Sequence, residues 1–220
     1  MEEYIPFWTK LTAQQQSEIR RSVIVKTVPK GTIVHNGSED CTGLLIVAGG
    51  QLRAYTVSEE GKEITLYRMF ERDACLFSAS CIMNNIQFEV IIETREDSEL
   101  ITIPTAVYQN LIHTSLPVAN FTNELMASRF SDVMWVMEQI LNKSVDSRLA
   151  AFLVEEMEIT DEKVLKITHE EIARHLGTAR EVITRMLKYF QKEQLVALAR
   201  GSVEILDEKK LYELAGDSRR

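Results

Sequence analysis

The chain has 220 residues, 45% of them hydrophobic and 26% charged, with nine glycines and four prolines. That is too apolar for a disordered chain, and at roughly 150 residues per domain it makes one large domain or two small ones. The net charge of −8 argues against a protein that holds nucleic acid or anionic membrane by bulk charge.

The longest strongly apolar stretches, Leu44–Ala48 and Val90–Ile92, are far too short to cross a bilayer. Met1-Glu2-Glu3-Tyr4 is acidic, with neither a basic nor an apolar leader region, so no secretory signal is expected there. Cys41, Cys75 and Cys81 are an odd number in a chain that needs no staples, which reads as thiols in a reducing cytoplasm. The expectation is a soluble cytoplasmic protein with no membrane partner.

Thr12-Ala13-Gln14-Gln15 has the spacing of a capping box and opens a short helix to about Arg21. From Val23 to about Ile103, short apolar runs alternate with turn signals. Val23–Val25 leads to Pro29-Lys30-Gly31, Gly43–Val47 to Gly49-Gly50, and Leu52–Val57 to Glu59-Glu60-Gly61-Lys62. Ile64–Phe70, Phe88–Glu93 and Leu100–Ile103 follow, and runs at this spacing predict a jelly-roll-like β-roll. Alternation along Leu52–Val57 is loose and leaves open which face is buried.

Pro104 suits the first turn of a short helix to about His113, and Pro117 that of a longer one. In the longer helix Met126, Phe130, Val133, Met137 and Ile140 recur at alternating spacings of four and three. This is an a/d seam suited to pairing with a second copy, although the same stripe could pack on the β-roll. Asp146–Glu158 carries Leu149, Phe152 and Leu153 at helical spacing, and Val164–Ile167 reads as a short strand.

Thr168-His169-Glu170-Glu171 is a capping box that opens a helix with Ile172 and Leu176 inward. Gly177 ends it, and Thr178-Ala179-Arg180-Glu181 opens the next, with Val182, Ile183, Met186 and Leu187 on its apolar side. Two short helices joined by a glycine turn make a helix-turn-helix, whose second helix lies in the DNA major groove with its N-terminal residues at base edges. Leu195–Leu198 and Val203–Leu206 then flank Ala199-Arg200-Gly201-Ser202, a hairpin with a basic tip that reads as a wing. The predicted chain is α+β: a β-roll sensor over residues 1–115, a dimerisation helix over 116–143 and a winged helix-turn-helix over 144–220.

Local charge supports a DNA partner where bulk charge does not. Between Arg174 and Arg200, six basic residues (Arg174, Arg180, Arg185, Lys188, Lys192, Arg200) face two acidic ones, Glu181 and Glu193, a local net of +4. Residues 1–143 carry a net −6 and residues 144–220 a net −2. The acidity elsewhere fits a restraint on non-specific DNA binding.

The order β-roll, long helix, winged helix-turn-helix resembles the CRP/FNR family of bacterial transcription regulators over nearly the whole chain. The stretch from Ile167 to Arg185 is the specific part. It matches the family's pattern of a Thr-opened helix, a glycine turn and Ser/Thr-Arg-Glu-Thr-x-x-Arg, and Gly31, Gly37, Gly50 and Gly61 fit turns of its cyclic-nucleotide-type roll. The resemblance places Arg180, Glu181 and Arg185 on base-reading positions and implies TGTGA-like half-sites in a palindrome bound by a homodimer. Arginine offers a bidentate donor pair to guanine O6 and N7, and glutamate accepts from cytosine N4. Glu181, three residues after Thr178, could instead complete a capping box. Ala179 and Val182 depart from the family's frequent hydroxyl residues. Thr168, His169, Thr178, Lys188 and Arg200 are candidate phosphate contacts by position. RNA polymerase is the expected further partner if the protein activates transcription.

Cyclic-nucleotide members of the family carry a Gly-Glu pair and, about ten residues later, Arg-Ser/Thr-Ala. Here Arg72–Cys81 is followed by Phe88-Glu89-Val90, with no basic residue between Arg72 and Arg95. A buried phosphate needs a cation or several donors, so cyclic AMP is not the expected effector. The N-terminal cysteine cluster of the oxygen-sensing members is missing, and an iron–sulfur cluster needs about four cysteines. Cys75 and Cys81 are a candidate redox pair or, alternatively, inert buried thiols. Nothing beyond the presence of histidine supports haem on His35, His113, His169 or His175, and no cofactor is predicted. The candidate effector pocket comprises Leu76, Phe77, Ser78, Ser80, Phe88, Glu89 and Met126, suited to a small uncharged or aromatic ligand, or to none. With no nucleophile–base pairing, HExxH or phosphate loop in the sequence, an enzyme is not expected. The alternative to a DNA-binding regulator is a ligand-binding or thiol redox-sensing module whose helix-turn-helix serves protein contacts.

Overall fold

The computed structural model describes residues 1–37, 42–76 and 89–216. The backbone sorts into two compact units, Met1–Thr56 with Leu66–Val133, and Val57–Thr65 with Met134–Arg220.

In the first unit, helix α1 (Ala13–Ser22) begins at the predicted capping box. Gln15 N–H donates to Thr12 Oγ1 at 3.3 Å and Thr12 N–H to Gln15 Oε1 at 3.0 Å. Eight strands follow, of which the last residue of β4 and the first three of β5 sort with the second unit: β1 (Ile24–Val28), β2 (Ile33–Asn36), β3 (Gly43–Gly49), β4 (Leu52–Val57), β5 (Glu63–Met69), β6 (Ala74–Cys75), β7 (Ile91–Thr94) and β8 (Ser98–Pro104). They form two four-stranded sheets, ordered β1-β8-β3-β6 and β2-β7-β4-β5. Leu45, Val47 and Leu100 of one sheet meet Leu52, Ala54 and Ile92 of the other in a core between them. The opposite side chains of the first sheet, Leu44, Ile46, Ile101 and Ile103, pack under Ile5, Phe7, Ile19, Tyr108 and Leu111. Covered on both faces, β3 reads as a continuous apolar run rather than an alternating one. Between β3 and β4, Gly50 adopts φ +85°, and a Cβ there would run into Ser98 Oγ and the Asp97 carbonyl.

The open question about β4 has a physical answer. Leu52 and Ala54 face the inter-sheet core, yet Arg53 and Tyr55 are buried too. The Arg53 guanidinium lies 4.3 Å from the Tyr55 ring centroid and 3.9 Å from Glu93 on the neighbouring strand. A cation matched by a ring and a carboxylate tolerates burial, and so erases the alternation.

Helix α2 (Thr105–Thr114) starts after Pro104, and the 27-residue α3 (Leu116–Asn142) is shared between the two units.

The second unit holds α4 (Val145–Thr160), β9 (Val164–Leu165), α5 (His169–Leu176), α6 (Arg180–Lys192), β10 (Val196–Ala199), β11 (Ser202–Ile205) and α7 (Glu208–Ala215). Its core joins Leu149, Phe152 and Leu153 of α4, Ile172 and Ala173 of α5, and Ile183, Leu187 and Phe190 of α6. The predicted hairpin pairs Val196 with Ile205 and Ala199 with Ser202, and β9 adds a third strand, ordered β10-β11-β9. Helix α7, which the sequence reading leaves out, is capped by Asp207, whose carboxylate accepts from Lys210 N–H at 3.0 Å. It closes the core with Leu211 and Ala215. Among the described residues, no helix is long and apolar enough to cross a membrane.

Candidate nucleic-acid interface

The turn between α5 and α6 is set by local chemistry. Glu171 N–H donates to Thr168 Oγ1 at 3.2 Å, and Thr168 N–H donates to Glu171 Oε2 at 2.9 Å, which satisfies the first turn of α5 from both sides. At the other end Gly177 takes φ +64° and ψ +37°, the left-handed conformation that reverses the chain. Thr178 N–H closes back on the Ala173 carbonyl at 3.1 Å. Arg148 of α4 donates from Nη2 to the Leu176 carbonyl, anchoring the last turn of α5. Burial lowers the pKa of that guanidinium from its ordinary value. Arg148 was missed by sequence reading, since nothing local to an arginine in the first turn of an apolar helix reveals its partner.

Thr178 is not the cap of α6. The helix starts one residue later than its role as cap would require, with Ala179 at the N-cap (φ −79°, ψ 144°) and no side-chain cap. With Ala179 as the cap, the third helical residue is Val182 rather than Glu181, so the capping-box reading of Glu181 falls away.

Isoleucine, leucine and phenylalanine at Ile183, Leu187 and Phe190 seat α6 on the core and turn its opposite face outward. There Arg180, Glu181, Thr184, Arg185 and Lys188 line one open recess. The four charged side chains are exposed, and among the described residues none of them forms an ion pair. Thr184, unremarked in the sequence, falls on this face because it lies four residues from both Arg180 and Lys188. Its Oγ1 is 3.0 Å from His169 Nδ1 of α5. The His169 ring is half-buried, and its pKa is lowered by that burial and then by the charges of Arg180 and Lys188. The Thr168 hydroxyl is committed to Glu171 Oε2 at 2.9 Å, Thr178 is half-buried in the turn, and Arg200 is exposed at the hairpin tip. The His175 ring packs tilted against Phe152, at 5.1 Å between centroids and 40° between planes.

A cyclic nucleotide-binding domain family matches residues 25–115, and a Crp-like helix-turn-helix domain family matches residues 147–214. A solved structure from Eubacterium rectale, assigned to the Crp/Fnr family of transcriptional regulators, is 58% identical, with a TM-score of 0.94 over 97% of this chain and 99% of that one. The chain belongs to the CRP/FNR family. The fumarate and nitrate reduction regulatory protein of Vibrio cholerae is 27% identical over 88% of this chain and 79% of its own length. The cyclic AMP receptor protein of Thermus thermophilus is 25% identical over 85% and 86%. This CRP/FNR chain is thus a transcriptional regulator with a DNA-binding helix-turn-helix.

The residues assigned to the sensor half fall in different places. Leu76 is buried under the first sheet, Glu89 is exposed beside Gly37, and Met126 is exposed on α3. Phe77, Ser78, Ser80, Cys81 and Phe88 lie outside the described residues, as does Cys41. Cys75 is fully buried between the sheets beside Tyr67, whose hydroxyl is pushed well up by burial and by Cys75, with Arg129 pulling it down. A cation missed by sequence reading sits here. Arg129 of α3 lies 4.4 Å from the Tyr67 ring centroid, donates to the Ala74 carbonyl at 3.2 Å and pairs with Asp132 at 2.9 Å. Its only local signal was an i,i+3 Arg–Asp pair on a mostly apolar helix.

Of the α3 stripe, Met126, Phe130, Met137 and Ile140 are exposed, Phe130 at 69%. Val133 packs partly against the inter-sheet core. Met134 and Leu141 are exposed as well and widen the stripe.

Proposed function

We propose that this regulator is a homodimer that reads a palindromic duplex with TGTGA-like half-sites, Arg180, Glu181 and Arg185 contacting base edges. The observation that carries the reading is the recess on α6, which gathers two guanidiniums and a carboxylate with no ion pair among the described residues. Guanidinium suits guanine O6 and N7, carboxylate suits cytosine N4, and the first turns of a reading helix are where base contacts are made. His169, Lys188 and Arg200 serve phosphates, with Thr168 and Thr178 assigned there by position. The exposed α3 stripe supplies the contact with the second copy. The protein works in the cytoplasm, and as an activator it would also engage RNA polymerase.

Arg180→Ala is the direct test. It should weaken binding to the palindrome by about 1–3 kcal/mol and relax preference at one base pair per half-site, read by in vitro selection and by competition against single-base variants. An equal loss on every sequence would make Arg180 a phosphate contact and overturn its assignment to a base.

The effector is proposed to be small and uncharged or aromatic rather than cyclic AMP. Arg53, buried in β4, and Arg129, half-buried on α3 against the roll, are each matched by a carboxylate and an aromatic ring. Saturating cyclic AMP is accordingly expected to leave the melting temperature unchanged, whereas a ligand at about 100 times its Kd adds about 2.7 kcal/mol. Strong stabilisation by cyclic AMP would sink this part of the reading.

A further inference from the structure

We infer that His169 couples DNA binding to a proton: the ring that braces Thr184 on the reading helix takes up H⁺ from solvent when a duplex phosphate docks against it. The inference deepens the proposed DNA contact of α6 and rests on it.

The geometry commits one ring nitrogen and leaves the other. Nδ1 is 3.0 Å from Thr184 Oγ1, and Nε2 has no hydrogen-bond partner among the described residues. Thr184 lines the recess that holds Arg180, Glu181, Arg185 and Lys188, so the ring stands beside the face proposed to meet DNA. A neutral imidazole has one donor and one acceptor nitrogen, whereas the imidazolium donates from both. Protonation therefore lets His169 donate to Thr184 and to a phosphate oxygen together, the second as a charge-assisted bond.

The surroundings decide when that proton is held. Burial lowers the ring's pKa from the ordinary histidine value, and the charges bearing on it, Arg180 and Lys188, both on α6, lower it further. Of the carboxylates in its own turn, Glu171 is engaged in the Thr168 cap and Glu170 lies 3.7 Å from Arg174. The positive end of the α5 backbone dipole disfavours the imidazolium as well. Without DNA, burial, these two cations and the dipole all favour the neutral ring.

Duplex DNA carries about one negative charge per 1.7 Å of axis. Phosphates against this face screen Arg180 and Lys188 and attract the imidazolium, which raises the ring's pKa. The sign follows from linkage. Binding takes up protons between the free and bound pKa values, so affinity rises as pH falls through that window and is flat on either side. A difference of one unit between the two values gives at most about tenfold per protomer, and so about 100-fold for a dimer.

The test measures affinity from pH 5.5 to 8.5 on a TGTGA palindrome and on a scrambled duplex, with the His169 ring resonance followed by NMR. Wild type should gain about tenfold or more from pH 8 to pH 6 on both duplexes, because phosphates carry no sequence. His169→Gln should lose the pH dependence, with one affinity across the range. His169→Lys, a permanent cation, should also be flat and bind more tightly than His169→Gln. The ring should titrate at a higher pH with duplex than alone. A His169→Gln protein that keeps the wild-type slope, or a ring titration unmoved by duplex, would overturn the coupling. Sequence preference at Arg180 is read separately, so base reading can fail while the proton coupling stands, and the reverse. Binding to neither duplex would remove both.

Discussion

Phe190→Ala is expected to destabilise the second unit by ~3–5 kcal/mol and to abolish DNA binding near its melting range. Phe190 is fully buried on the core side of α6, among Leu149, Phe152, Leu153 and Leu187. Its carbonyl also accepts from Leu195 N–H at 2.9 Å, where the chain leaves α6 for the wing. Removing the ring leaves a cavity at the point where α6, α4 and the wing share one core, and a close-packed interior relaxes into such a void only partly. A unit of this size loses roughly 4–8 °C of melting temperature per kcal/mol, so calorimetry should find a drop of more than ~12 °C. The neighbouring Tyr189 is 49% exposed, and Tyr189→Ala should stay within about 0.5 kcal/mol of wild type. If the two substitutions cost the same, α6 would not be seated as described.

The helix-turn-helix was legible because its determinants are local. The Thr168–Glu171 box and the positive φ of Gly177 act within one turn of where they stand in the chain. The start of α6 was misplaced because Thr178 looks like a cap in sequence, while in the fold Ala179 holds the cap position and Thr178 belongs to the turn that closes α5. Strands β2 and β6 escaped because they are short, and β6 has only two residues to reveal itself. Helix α7 carried an Asp207 cap but too few residues for a clear period. The buried cations were the harder loss. Arg129 serves the roll from a helix more than fifty residues downstream of Tyr67 and Ala74, so a search for a cation confined to residues 72–95 could not find it. Charge shows the same contrast between scales. The net −8 of the whole chain conceals the +4 stretch that α6 and the wing tip bring to the surface.

Phe130→Glu combined with Met137→Glu is expected to give a monomer that has lost roughly 10²–10⁴-fold in affinity for the palindrome and little for an isolated half-site. The two residues share one heptad position, seven apart on α3, at 69% and 45% exposure, in a stripe that also holds Met126, Met134, Ile140 and Leu141. A continuous apolar face of that length on one helix calls for a covering partner. The heptad period suits a second α3 laid alongside it, and the methionines allow the packing to adjust. Glutamates at both positions would place four carboxylates together along a twofold axis, where burial and mutual repulsion oppose association. The affinity loss follows from valence. With two half-sites on one duplex, the second reading helix binds at an effective concentration set by the dimer, and a monomer forfeits that term while keeping its own contacts. Sedimentation equilibrium and titration of one and two half-sites separate the effects, with circular dichroism verifying that the helices persist. A variant that still sediments as a dimer would show that the seam lies elsewhere than on this stripe. Val133, turned partly into the inter-sheet core, should tolerate only apolar exchange, because there the same helix faces its own β-roll.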